Sequence, residues 1–200
     1  MSERSRIIVP HRGLAMGKTR LAPVLEPGER LALARELLER VLRVIRQACQ
    51  EVVVITPSEE LAAVVEPIGA RLVVQHGMGL NAGLDQARAA AIDEGIELLG
   101  VLHGDLPNLR PDDVRALLDA VPAPRGVAIA PDRAGRGTNG LALRPPDVIG
   151  FAFGIGSLAA HRAAADAAGL VPAIVDRPGL SFDLDTPADL ARWLEAGDAA

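Results

Sequence analysis

Short aliphatic, β-branched runs alternate along the chain with stretches whose apolar positions recur every three or four residues. A continuous apolar run bounded by turn residues suits a strand covered on both faces, and three- and four-residue spacing suits a helix with one apolar stripe. On this basis strands are expected at Arg6–Val9, Val52–Thr56, Arg71–Gln75, Leu98–His103, Val127–Pro131, Leu141–Arg144 and Val171–Val175. The clearest helix is Arg30–Ala48, where Leu33, Leu37, Val41, Val44 and Ala48 share a face. Further helices are expected from a Ser58 cap to about Glu66, and at Leu80–Glu94, Pro111–Ala120, Ser157–Ala168 and Thr186–Ala196. Pro111 sits where helices favour proline, at the first turn. Strand–helix alternation of this kind predicts an α/β fold with a mostly parallel sheet and right-handed crossovers.

The 200 residues suit one domain spanning 1–200, with no internal repeat or long linker. In open α/β sheets, ligands bind beyond the carboxyl ends of the strands. The loops that follow strand ends here are Pro10–Gly28, Gly104–Pro111, Asp132–Gly140 and Pro145–Gly156, so a site built from them is expected. A net charge of −5 argues against a nucleic-acid partner, which needs a basic face. The lone cysteine, Cys49, removes any disulfide framework and suits a reducing cytoplasm. No apolar run reaches the ~18 residues of a membrane span, and the first ten residues lack the apolar core of a secretion signal. Of the 21 basic residues only Lys18 is a lysine. That draws notice, because a compact ammonium and a planar guanidinium are not interchangeable at a site that needs a point charge.

Four segments carry candidate chemistry. Gly13–Thr19 (GLAMGKT) has three residues between its glycines, where a phosphate-binding loop of the NTPase type has four. Arg12, Lys18 and Arg20 nevertheless surround two glycines just after the first strand, and cations with free backbone N–H groups suit a polyphosphate. The second segment set is acidic: Asp105 follows the fourth strand, and Asp183 and Asp185 flank one leucine in FDLDTP. Carboxylates two positions apart in an extended segment point the same way, and hard divalent cations take such oxygens. Structural roles stand beside this reading. Asp105 also suits a turn before Leu106-Pro107, and Asp185 or Thr186 suits a helix cap, with Asp189 completing a capping box. The third is GRGTNG, in which Asn139-Gly140 signals a hairpin turn and leaves Thr138 and Arg136 unexplained. The fourth is FGIGSLAAH, where glycines and Ser157 open a helix, either as an anion site or as a plain cap. His161 lies one turn beyond Ser157 and is not read as a base; no Ser-His-Asp arrangement is evident. Asn81 in GLNAGL is free to cap a helix or to touch a ligand.

Taken in order, VPHRGLAMGKTRLAP, GLNAGL, HGDLPNL, GTNGLAL, FGIGSLAAH and LSFDLDTPADL resemble the phosphoenolpyruvate or 2-phospho-L-lactate guanylyltransferases of coenzyme F-420 biosynthesis. The resemblance runs from Ile7 to Trp193. It implies the nucleotide-diphospho-sugar transferase fold, with a Rossmann-like mixed, mostly parallel sheet flanked by helices. It also implies a reaction, in which the phosphate of a three-carbon acid attacks the α-phosphorus of GTP and pyrophosphate leaves. By matched motif, Asp105, Asp183 and Asp185 would hold Mg2+. Thr138, Gly154 and Ser157 would bind the acid. Lys18 and Arg20, with Arg12 and Asn81, would meet the nucleotide. Three positions depart from the usual pattern: Arg12 stands in place of lysine, Gly17 in place of alanine and Leu158 in place of phenylalanine. Two alternatives remain: another nucleotidyltransferase of this fold, acting on a molybdenum cofactor or a sugar phosphate, or a nucleotide-binding protein without activity. Monomer and homodimer both stay open.

Overall fold

The computed structural model describes residues 4–198. One seven-stranded sheet forms the centre, with strand order β3-β2-β1-β4-β6-β5-β7. The strands are β1 (Ser5–Pro10), β2 (Glu51–Thr56), β3 (Arg71–Val74), β4 (Leu98–Leu102), β5 (Gly126–Pro131), β6 (Thr138–Arg144) and β7 (Ala173–Ile174). All pairings are parallel except those of β6, which runs antiparallel to both β4 and β5. The sheet is thus mixed and mostly parallel, as expected. Among the described residues seven α-helices accompany it: α1 (Pro27–Ala48), α2 (Ala62–Val65), α3 (Leu80–Asp93), α4 (Pro111–Asp119), α5 (Ser157–Ala167), α6 (Pro178–Ser181) and α7 (Pro187–Asp198). Among the described residues no helix is long and apolar enough to cross a membrane.

The parallel strands are apolar throughout because both faces are covered. On β1, Ile7 and Val9 join a core with Leu38, Leu42 and Ile45 of α1 and Leu117 and Leu118 of α4. Ile8 turns to the other face, where Leu84 and Ala87 of α3 and Leu158 and Ala165 of α5 pack with it. A third, smaller cluster joins Leu21, Leu33, Leu37 and Leu184, with Leu190 and Trp193 against it.

Four details differ from expectation. The helix expected after Ser58 is broken into a 3-10 turn, the short α2 and a second 3-10 turn. Ser58 makes no cap; its hydroxyl donates to Glu60, and Pro67 denies the last turn an amide donor. The α1 helix begins three residues earlier, at Pro27, under a reciprocal Glu26–Glu29 capping box. The last strand shrinks to Ala173–Ile174, an edge paired on one side only. Finally, Asn139-Gly140 is not a turn. The hairpin between β5 and β6 closes earlier, where the amide of Asp132 donates to Gly137 O and that of Gly135 donates to Asp132 O, and both residues lie inside β6.

Gly140 is required there by space. A Cβ on it would come 3.0 Å from the Cδ2 atoms of both Leu102 and Leu117 and 3.2 Å from the Cβ of Ala130. All three neighbours are fully buried and hemmed in. Gly140→Ala is expected to cost about 1–3 kcal/mol through overpacking, read as a lower urea midpoint at unchanged slope. An unchanged midpoint would contradict this packing.

Candidate active site

The order β2-β1-β4 places a topological switch point between β1 and β4, where crevices open at the carboxyl edge. The segment after β1 and the segment after β4 both empty into it. They line a cleft of about 470 Å³ together with Arg12, Lys18, Arg20, Leu80 and Asp185. Lys18 is held there by its backbone, as the one described non-glycine residue with positive φ (φ 55°, ψ 31°). That left-handed conformation aims the side chain inward and is uncommon for a lysine. The chain then enters a 3-10 turn, Thr19–Leu21, and Leu21 sinks into the third cluster.

The same cluster fixes the acidic segment. Leu184 is fully buried beside Leu21, while its neighbours Asp183 and Asp185 are only half-buried and lie to the other side of the extended chain. The Leu184 amide donates to Asp105 O (3.1 Å), which ties the segment to the loop after β4. The capping role is taken elsewhere. Asp189 Oδ2 accepts from the Thr186 amide (2.9 Å) and hydroxyl (2.7 Å), and the Asp189 amide donates back to Thr186 Oγ1 (3.3 Å). Asp185 is therefore free of the helix end and faces Lys18.

The Lys18 ammonium lies 2.7 Å from Asp105 Oδ2 and 3.2 Å from Asp185 Oδ1, with its side chain only 7% exposed. Burial alone would lower the Lys18 pKa, but the two carboxylates outweigh it and raise it. Burial likewise opposes the Asp105 charge, and Lys18 overcomes it, so Asp105 stays below the ordinary carboxylate value. Asp183 behaves oppositely. Burial, and the charges of Asp105 and Asp185, push its pKa up, against a weak bond from Asn139 Nδ2 (3.4 Å). Arg20 stands 3.9 Å from Asp185 and is largely exposed, and Arg12 is exposed at the rim.

Two aspartates, Asp105 and Asp185, thus meet on one ammonium, and Asp183 stands beside them without contacting it. The expected metal centre is not preformed: among the described residues no group of three His, Cys, Asp or Glu is set around a common cation position. The physical reason is that Lys18 Nζ takes the place between Asp105 and Asp185. The donor set still suits a hard divalent cation. Asp105 Oδ1 is buried without a hydrogen-bond partner, and Asp183, raised first by burial and then by the charge of Asp105, has no cation beside it among the described residues.

Thr138, Gly154 and Ser157 are not among the residues lining the cleft; Thr138 and Ser157 are buried, and the link to the acidic segment runs through Asn139. Asn139, next to Thr138, donates to Leu180 O (3.0 Å) as well as to Asp183. The Thr138 amide donates to Ser157 Oγ (2.9 Å), so Ser157 opens α5 without capping it; the cap position is Gly156. Gly154 (φ 136°) and Gly156 (φ 73°) make the tight turn before the helix, in conformations that favour glycine. Asn81 is placed differently. Its amide accepts from Phe153 N (2.9 Å) and donates to Phe153 O (3.1 Å), clamping α3 to that loop.

None of the four histidines had an assigned role in the sequence, and three of them lie in or near the site. His11 and His103 line the cleft. Burial lowers the His11 pKa to about 4 against the pull of Asp105, and its Nδ1 accepts from Gly13 N (3.0 Å). His161 is fully buried and bonded to Thr138 (3.0 Å), and the Phe153 ring lies between it and His103. The spacing Leu158, His161, Ala165 is the one signal that places His161 on the buried face of α5.

The comparisons with known proteins follow this geometry. A nucleotidyl transferase from Methanothermobacter superposes with a TM-score of 0.70 at 20% identity, covering 98% of each chain. A glucosyl-3-phosphoglycerate synthase from Mycobacterium tuberculosis, in complex with Mn2+ and UDP, superposes with a TM-score of 0.64 at 12% identity, covering 96% of this chain and 75% of that one. The class is that of the nucleotidyltransferases. More narrowly, residues 5–199 match the guanylyl transferase CofC-like model, and the chain belongs to that family. A phosphoenolpyruvate guanylyltransferase from Sphaerobacter thermophilus is 43% identical over 185 residues, covering 92% of this chain and 89% of that protein. A 3-phospho-D-glycerate guanylyltransferase from Colwellia psychrerythraea is 28% identical over 189 residues, covering 94% and 90%.

The buried histidine gives the fold a pH signature. Burial lowers the His161 pKa to about 4, against an ordinary value of 6.5. Between those values the unfolded chain binds more protons than the folded one, so stability falls as pH drops below 6.5. The expected contribution is roughly 1 kcal/mol per pH unit between about pH 6 and 4.5, measured by urea unfolding at several pH values. Replacement by leucine should remove that contribution and leave the one from His11, whose pKa is likewise lowered to about 4; an identical slope would contradict the burial of a neutral ring.

Proposed function

We propose that the protein joins GMP from GTP to the phosphate of phosphoenolpyruvate, releasing pyrophosphate, as one nucleotidyltransferase domain spanning residues 1–200. The observation that carries this reading is the meeting of Lys18 with Asp105 and Asp185 at the sheet's switch point, with the Thr138–Ser157 pair linked to the acidic segment through Asn139. The name of the 43% identical relative supports the acceptor. The resemblance to the coenzyme F-420 guanylyltransferases supports the pathway.

The chemistry asks little of a base. A phosphate oxygen of the acid is already ionised, so it attacks the α-phosphorus with no proton to remove. The bond from that phosphorus to the bridging oxygen breaks, and pyrophosphate carries away the charge. Catalysis then rests on alignment and on neutralising charge, which is what ammonium, guanidinium and carboxylate-bound cations supply. Asp105, Asp183 and Asp185 are the residues that would hold Mg2+. Bound there, the ion would neutralise phosphate oxygens and hold them in line. Lys18, Arg20 and Arg12 meet the triphosphate and favour departure of pyrophosphate. The exposure of both arginines suits an anion arriving from solvent. Thr138, Gly154 and Ser157 bind the acid. Asn81 contributes by holding the Phe153 loop against α3, since its amide is spent on backbone.

Pyrophosphate release from GTP with Mg2+ tests the reading, with phosphoenolpyruvate, 2-phospho-L-lactate and 3-phosphoglycerate offered separately. Release is expected with phosphoenolpyruvate. Asp183→Asn and Lys18→Met should each lower kcat at least about 100-fold, the scale of losing one preorganised charge partner. Release with 3-phosphoglycerate alone would move the acceptor to that of the Colwellia relative. No release with any of the three would overturn the assignment.

A further inference from the structure

The hydrogen bonds around His161 determine where its proton sits. The Ala152 amide donates to Nε2 (3.1 Å), so that nitrogen is an unprotonated acceptor. A neutral imidazole then carries its hydrogen on Nδ1. Nδ1 lies 3.0 Å from Thr138 Oγ1, so the ring donates and the hydroxyl accepts. The ring is fully buried and sits against Phe153 edge to face, with centroids 4.8 Å apart. Its burial keeps it neutral through the physiological range.

This arrangement acts on Thr138. Its oxygen accepts a hydrogen bond from His161 Nδ1–H, and no described residue accepts the hydroxyl's own hydrogen. Ser157 repeats the pattern. Its oxygen receives a hydrogen bond from the Thr138 amide, and no described residue accepts its own hydrogen. Two hydroxyls are therefore left as donors with no acceptor among the described residues. Ser157 opens α5, after two glycines in positive-φ conformations, where helix N–H groups also favour an anion, and Thr138 opens β6 beside it.

We propose that His161 is a positioning residue for the acid: its Nδ1–H holds the Thr138 hydroxyl as a hydrogen-bond donor toward the acid's anionic groups. The proposal rests on the reading of Thr138 and Ser157 as the acid's site. It extends that reading to a residue that touches neither substrate and acts through Thr138. The group recognised is a phosphate or carboxylate oxygen, an acceptor that carries no proton to offer in return.

The test combines steady-state kinetics of pyrophosphate release with NMR on the full chain. His161→Leu keeps apolar bulk and removes the donor. It should raise KM for the acid about tenfold, the low end for losing a hydrogen bond to an ionised group. KM for GTP should stay within about twofold, because the lost contact belongs to one substrate only. His161→Asn, which places an amide donor near the former Nδ1, should recover most of the loss. Equal rises in both KM values, or no recovery with asparagine, would overturn the proposal. Thr138→Val should reproduce the acid defect; an unchanged acid KM there would remove the acid-site reading itself, and the proposal with it. Long-range 15N–1H correlation on the wild-type protein reads the tautomer without any substrate. A proton on Nδ1 is expected, and a proton on Nε2 would overturn the proposal even if the leucine variant failed to fold.

Discussion

One ammonium holds the site together. Lys18 is the sole lysine of the chain and meets Asp105 and Asp185 within hydrogen-bond distance, nearly out of contact with water. Removing a charge from water is expensive, and only close, well-aimed partners offset that cost. The surrounding structure provides the aim. A left-handed backbone turns Lys18 inward, and Leu21 and Leu184 anchor the two facing segments in one apolar cluster. Two stretches of chain more than 160 residues apart thereby meet with opposite charge. The balance is deliberately incomplete: Asp183 remains crowded by its neighbours, and one oxygen of Asp105 has no partner. A site left with surplus negative charge and cations at its rim is suited to gather metal and polyphosphate together.

The second half of the site depends on this first half through β6. That strand runs against its neighbours, and its opening residues face two ways. Asn139 reaches Asp183 and Leu180 on one side, while Thr138 engages Ser157 and His161 on the other. The close fit at Gly140 keeps the strand tight against Leu102 and Leu117, so these two contacts share one rigid carrier. The loop of Phe153, clamped by Asn81, closes the arrangement from above α3. The sites proposed for the acid and for the nucleotide would thus be two ends of a single packed unit, which suits a reaction governed by alignment.

Much of this was legible in the sequence because it follows from periodicity. Apolar runs marked the strands of the parallel half, and the face shared by Leu33, Leu37 and Val41 marked α1. The aspartates were legible because each follows or precedes an element end, and the DLD spacing places two on one side of an extended chain. What escaped was decided by tertiary contact. Asn139-Gly140 has the local chemistry of a turn, yet packing draws it into β6 and the hairpin closes before it. Asn81 had a free side chain in the sequence and none in the fold, because Phe153, distant along the chain, takes both ends of its amide. His161 shares the spacing of buried Leu158 and Ala165, but its partners carry no local mark, since they come from β6 and from the loop before α5. Lys18 was singled out by its rarity, but its bond to Asp105 and Asp185 depends on how three loops meet.

The most direct test of the central claim is a crystal structure with Mn2+ and a non-hydrolysable GTP analogue, with the metal located by anomalous scattering. The account predicts a manganese peak among Asp105, Asp183 and Asp185, with the Lys18 ammonium moved from the carboxylates to the triphosphate. A peak elsewhere, or nucleotide bound away from the cleft while Lys18 still bridges Asp105 and Asp185, would contradict it.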